Sequence, residues 1–181
     1  LAAINRAPVA NARAMALAHP RRGGATLFGL PSVTRVDAEW AAWANGTAVR
    51  ELDFHDTFLA ADYAHPGDTI AAIVATAQQM GRGGADLVRA IAVAYEIHVA
   101  LVKAISLHKF KKDHVAHLCP ATVVGLGSLL GLPVATIYQA VSGRPIFDET
   151  GAFTGYRGTA RDVTPMVEAQ KALQASEQRF R

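Results

Sequence analysis

Over most of the first 141 residues, apolar positions recur at helical spacing between short polar breaks. Residues 8–18, PVANARAMALA, have helix-forming composition and stop at His19-Pro20. RRGGATLFGLPS (21–32) is interrupted by glycine and proline and reads as a loop. Asp37 is placed to cap AEWAAWANGTAVREL, where Trp40, Trp43, Ala44 and Thr47 share a stripe and both tryptophans read as core. Asp68 is placed to cap TIAAIVATAQQM, which ends at GRGG (81–84). The longest helix is expected from about Ala85 to Leu107. Leu87, Val88, Ile91, Tyr95, Val99 and Val102 form its apolar face, with Arg89 and Lys103 off that face and Glu96 and His98 at its edge. HKFKKDH (108–114) closes the helix with positive charge, which the macrodipole favours. Pro120 sits in the first turn of ATVVGLGSLLGL, and Pro133 opens VATIYQAV.

No period-2 segment of note precedes Ser142, so the pattern predicts a mainly α, all-helical region over 1–141. The character then changes. RPIFD and FTGYRGTARDVT flank a glycine-containing turn and predict a short β-hairpin, and PMVEAQKALQASEQRFR predicts a C-terminal helix opened near Pro165. Two regions follow, 1–141 and 142–181.

Composition narrows the function classes. With 181 residues, 51% of them hydrophobic, the chain can bury a real core. A net charge of +3 is compatible with a small anion and too weak to argue for nucleic acid. The single Cys119 excludes a disulfide framework and a multi-cysteine zinc site, and points to a cytoplasmic setting. The N-terminus does not read as a signal peptide, no apolar run is long enough to span a membrane, and the Leu1 start suggests a fragment.

Candidate chemistry concentrates in NGTAVRELDFHDTFLAADYAHPGD (45–68). Asp53, Asp56, Asp62, His55, His65, Thr57 and Tyr63 crowd into it between two apolar segments, a density that an ordinary surface loop does not require. Two chemistries suit these residue types. Histidine can take and give protons near neutrality, with Asp orienting it. Alternatively His55-Asp56, with His114 and His117, could hold a divalent metal in a helical phosphohydrolase, although the spacing matches no strong ligand motif. GLGSLLG (125–131) misses the dinucleotide fingerprint, and helix packing is its better reading.

NGTAVRELDFHDT, the HPGD after it, AYEIHVALV (94–102) and DHVAHLCPATVVGLGSLLGL (113–132) together resemble the MmgE/PrpD family over about residues 10–141. That resemblance implies a carbon–oxygen lyase of propionate catabolism that removes water from a tricarboxylate such as 2-methylcitrate, without metal or other cofactor. Carried over by motif, it implies catalytic Asp53, His65 and His114, with Thr57 binding substrate. It also implies impaired activity, because the family's later helices, lid domain and lysines have no counterpart here. A homo-oligomer is expected, with no nucleic-acid or membrane partner. GRPIFDETGAFTGYRGTARDVT and the SEQRFR ending resemble instead the closing strands and outgoing helix of a PAS domain. This second likeness leaves open a signalling or interaction module, or a junction near 141–143 created by gene assembly.

Overall fold

A computed structural model describes residues 1–141, 143–147 and 153–158. It divides into two compact units, Leu1–Gly131 and Leu132–Arg181.

The first unit is helical. Helix α1 spans Ala7–Leu17, α2 Ala38–Arg50, α3 Ile70–Gln79, α4 Gly84–Ala104 and α5 Leu118–Leu130. Its core forms on the two sides of α3. On one side Ala75 packs with Ala12 and Ala16 of α1, with Ala38, Ala41 and Ala44 of α2, and with Ala25, Leu27 and Val36. On the other, Ile73 and Ala77 meet Ala90 and Ala94 of α4 and Leu129 of α5. Alanine on facing stripes lets helix axes approach closely, and Gly125 takes this furthest. A Cβ there would sit 2.8 Å from Ala94 Cβ and 3.0 Å from the Ala90 carbonyl oxygen. The buried line of α4 is therefore Ala90, Ala94, His98 and Val102. The larger Val88, expected on the apolar face, is exposed.

Two strand pairs interrupt the helices. β1 (Pro20–Thr26) pairs antiparallel with β2 (Arg35–Val36), across the segment expected to be a loop. Asn45 ties this pair to α2: its Oδ1 accepts from Phe28 N–H at 2.8 Å and its Nδ2 donates to Thr26 O at 3.0 Å. β3 (Phe58–Leu59) and β4 (Tyr63–Ala64) form a hairpin inside the polar stretch between α2 and α3.

Several local expectations change. Asp37 stands at the α2 N-cap position, but its carboxylate binds Arg21 at 2.9 Å, while Ala38 N–H donates to Gln79 Oε1 at 2.8 Å. Asp68 falls within a 3-10 turn, Pro66–Thr69, and faces Arg50 instead of capping α3. Trp40 is half-buried and stacks on His19, whereas Trp43 is exposed. HKFKKDH is not a helix end, because α4 stops at Ala104 and the segment forms a 3-10 turn with Lys111 in the left-handed region.

The second unit contains α6 (Val134–Val141) and an antiparallel pair, β5 (Gly143–Phe147) with β6 (Phe153–Gly158). The helix expected over 165–181 lies outside the described residues. No helix among them is long and apolar enough to cross a membrane. The fold is mainly α, with small antiparallel strand pairs, as the pattern predicts.

Candidate active site

Every histidine of the chain except His19 gathers around the β3–β4 hairpin, the C-terminal half of α4 and the segment that leads into α5. His65 and His114 lie 49 positions apart in sequence, and their rings meet edge to face with centroids 5.4 Å apart. His55 packs against His65 at 4.0 Å. Tyr63 lies at the centre, 4.2 Å from His114, 5.2 Å from His108 and 6.1 Å from His65. His65 follows β4 directly. His114 opens a 3-10 turn whose N-cap, Asp113, accepts from Val115 N–H at 3.0 Å.

The hydrogen bonds assign each ring a tautomer. His65 Nδ1 is 2.8 Å from the Asp56 carbonyl oxygen, which can only accept, so Nδ1 carries the proton and Nε2 keeps its lone pair. Thr57 Oγ1 is 3.3 Å from the same nitrogen. His114 Nδ1 is 3.0 Å from the Asp113 carboxylate, so its free nitrogen is again Nε2. Arg50 can only donate, and it donates to His55 Nε2, which puts the His55 proton on Nδ1. Burial, the largest influence on each, pushes His55 and His114 below the ordinary histidine pKa.

Polar groups surround these rings. Asp56 Oδ1 accepts from Gly67 N–H at 2.9 Å, and Asp56 also bonds to Tyr95. Burial, helped by that carboxylate, raises the Tyr95 phenol to about 12. Arg50 bridges His55 to Asp68, with its guanidinium 3.3 Å from Asp68 Oδ2, and burial raises the Asp68 carboxyl despite this cation. Beside Arg50 and Asp68, a groove of about 530 Å³ is walled by Trp43, Thr47, Val115 and Leu118. His98 is only 2% exposed, a correction to its expected place at a helix edge. Burial presses its pKa down to about 4, so it is neutral at pH 7.

Buried polar atoms normally find partners. Among the described residues the side-chain exceptions are His55 Nδ1, Asp68 Oδ1, both ring nitrogens of His98, and His114 Nε2. All belong to this one cluster.

Three of the four residues expected in the site, Thr57, His65 and His114, come together here. Asp53 does not join them. Its side chain is 77% exposed, its Oδ1 is 3.7 Å from His55 Nε2, and its backbone is left-handed with φ 54°. His114 turns Nδ1 to Asp113, while His117 gives Nε2–H to Ile105 O at 3.1 Å. No group of three or more His, Cys, Asp or Glu among the described residues is arranged to hold a metal ion. Sequence reading named Tyr63 in the polar stretch without giving it a role, and passed over His108 and Arg50 as site residues. Only their proximity to HDT and DH could have flagged them.

The model of the MmgE/PrpD N-terminal domain matches residues 1–172. The chain belongs to the MmgE/PrpD family. The match crosses 141–143, where the sequence suggested a change of family, and the PAS likeness has no support from it. Curated members of this family agree with the match. The chain is 31% identical over 118 residues to a 2-methylcitrate dehydratase of Escherichia coli K12, covering 60% of this chain and 24% of that protein. It is 32% identical over 118 residues to the enzyme of that name from Cupriavidus necator, with the same coverage. A probable 2-methylcitrate dehydratase of Saccharomyces cerevisiae is 30% identical over 133 residues, covering 62% and 26%. The chain thus spans about a quarter of the length of the MmgE/PrpD proteins it matches.

Proposed function

We propose that this chain carries the acid–base centre of a carbon–oxygen lyase that eliminates water from a hydroxytricarboxylate of the 2-methylcitrate kind. The observation that carries this reading is the His65–His114 pair, edge to face at 5.4 Å, each with Nδ1–H engaged and Nε2 free. Elimination needs one such group as base and a second that enters the step with a further proton on Nε2. One imidazole takes the proton from the carbon beside a carboxylate. The C–H electron pair becomes the new C=C bond, the C–O bond breaks, and the other ring, an imidazolium, gives its Nε2 proton to the departing hydroxyl to form water.

Thr57 and Arg50 supply a hydroxyl and a guanidinium for substrate carboxylates, and a bidentate guanidinium suits that task. Asp53 stands at the rim, where its carboxylate faces the Arg50 guanidinium at 4.0 Å and helps to orient it. No metal or other cofactor enters this scheme. Cys119 is a free exposed thiol, which suits a reducing cytoplasm, and the exposed apolar side chains beside the site suit a homo-oligomer.

The test is turnover of 2-methylcitrate by the purified protein, followed by ultraviolet absorption of the unsaturated tricarboxylate. His65→Gln and His114→Gln are each expected to lower kcat by about 10²–10⁴-fold. Undiminished turnover in the double variant removes the reading.

A further inference from the structure

His65 and Gly67 give two N–H groups to one residue. His65 Nδ1–H donates to the Asp56 carbonyl oxygen at 2.8 Å, and Gly67 N–H donates to the Asp56 carboxylate at 2.9 Å. Pro66, between them, has no N–H to give. Asp56 thus clasps the HPG segment at two points, with its main chain on the ring and its side chain on the turn that follows. No ladder holds that carbonyl in place, because residue 56 lies in neither helix nor strand. The side chain does the holding. Its carboxylate is gripped a second time by the Tyr95 phenol of α4, which burial and the Asp56 charge push up to about 12 and so keep as a donor.

Gly67 shows how closely this clasp is built. Pro66 and Gly67 are both buried. Gly67 does not use the left-handed backbone that favours glycine. Space requires the glycine instead: a Cβ there would run into Asp56 Oδ1 and stand 3.2 Å from the Tyr95 hydroxyl oxygen.

We propose that Asp56, gripped by Gly67 and Tyr95, is the positioning residue that fixes His65 as the Nδ1–H tautomer with Nε2 free. This rests on the lyase reading above for its purpose, but not for its spectroscopic test. Which ring nitrogen keeps its lone pair is set by the bond that the other makes. A carbonyl can only accept, so it commits Nδ1 as donor without placing a charge beside the ring. Thr57 Oγ1, 3.3 Å from the same nitrogen, can donate as well as accept and does not make that choice by itself. Once the carboxylate is released, the peptide at residue 56 can turn away and Thr57 can donate to Nδ1. The ring proton then sits on Nε2, the atom that has to take a proton from substrate. Asp56 touches no reacting atom and acts through His65.

The experiment reads the His65 tautomer from the NMR shifts of its two ring nitrogens in the purified protein, at a pH where the ring is neutral. Wild type is expected mostly as Nδ1–H. Asp56→Ala and Gly67→Ala should each lower the ratio of Nδ1–H to Nε2–H by about two- to tenfold, as for loss of one hydrogen bond. Asp56→Asn, whose amide oxygen can still accept from Gly67, should keep the wild-type ratio. Tyr95→Phe keeps its ring packed on α4 and is read if an alanine variant fails to fold; it should lower the ratio by about twofold. A merely structural Asp56 would change urea stability and leave the tautomer alone, so an unchanged ratio in the folded variants overturns the proposal. A wild-type ring already in the Nε2–H form does the same. Turnover is read separately: kcat of Asp56→Ala should fall with the ratio while KM changes little. Tautomer shifts in a protein without turnover defeat the lyase reading and leave the clasp standing, whereas ordinary turnover with an unmoved ratio does the reverse.

Discussion

His98 shows how a single residue can carry the cost of a site. It is neutral, buried on α4, and neither ring nitrogen has a partner. Its folded pKa of about 4 lies below the unfolded value of 6.5, so below pH 6.5 the unfolded chain binds the extra proton. Stability linked to His98 is therefore complete above pH 6.5 and is lost as pH falls from 6.5 to 4. The shift corresponds to roughly 3 kcal/mol in all. His98→Met, which removes both orphaned nitrogens, should flatten the loss of urea stability between pH 7 and pH 4.5, and should not destabilise at pH 7. A second prediction at this scale concerns His114. Its lowered pKa keeps the imidazole neutral to more acidic pH, so the acid limb of kcat/KM should lie below 6.5 and move when Asp113→Asn removes the nearby charge. The family resemblance brought out His65, His114 and Thr57 through the motifs HDT, HP and DH. It could not find His98, which looks like any polar residue on an apolar helix until the partner helix closes over it. The same motif named Asp53, but a motif gives order along the chain and not the direction in which a carboxylate points, and this one lies 3.7 Å from His55 with its side chain 77% exposed.

At the scale of elements, alanine and glycine decide more than the large side chains do. The apolar period of α4 was legible: Val102 is buried and Leu87 and Ile91 pack against the core, while Val88 faces out. The fully buried Ala90 and Ala94 were not singled out; they lie opposite Gly125 of α5, which needs small residues there. That close approach also turns the His98 side of α4 inward. Gly125→Ala, in contact with Ala94, Ala90 and Ile73, should cost about 1–3 kcal/mol in urea unfolding. A variant as stable as wild type would show that the two helices can separate freely. Strand β1 was hidden for the opposite reason. PRRGGAT has neither apolar alternation nor β-branched residues before Thr26, and it is held by Asn45 and Gln78 rather than by its own pattern. Turn chemistry did reveal the later pair, since a glycine-containing turn between RPIF and FTGYRG is local information.

For the molecule as a whole, the site's surroundings carry more apolar surface than an isolated helical unit can comfortably expose. Phe54 is 92% exposed, Leu59 74% and Phe110 67%, and Trp43 and Val115 open onto the groove beside Arg50. Phe54, Leu59 and Phe110 come from the same two segments that supply His55, His65, His108 and His114. The curated relatives are nearly three times as long as this chain. The 181-residue chain purified alone is therefore expected to self-associate through that rim, since contiguous exposed apolar patches mark interaction surfaces. It is also expected to turn over 2-methylcitrate far below ordinary enzyme rates, because a site open to water weakens every electrostatic contact in it. Light scattering and the ultraviolet assay check both expectations together. Phe54→Ser with Phe110→Ser should shift the chain toward monomer while leaving the His65–His114 resonances in place. A monodisperse wild-type monomer working at about 1–1000 per second would mean that the histidine cluster needs no cover beyond these residues, and that the exposed phenylalanines serve some other contact.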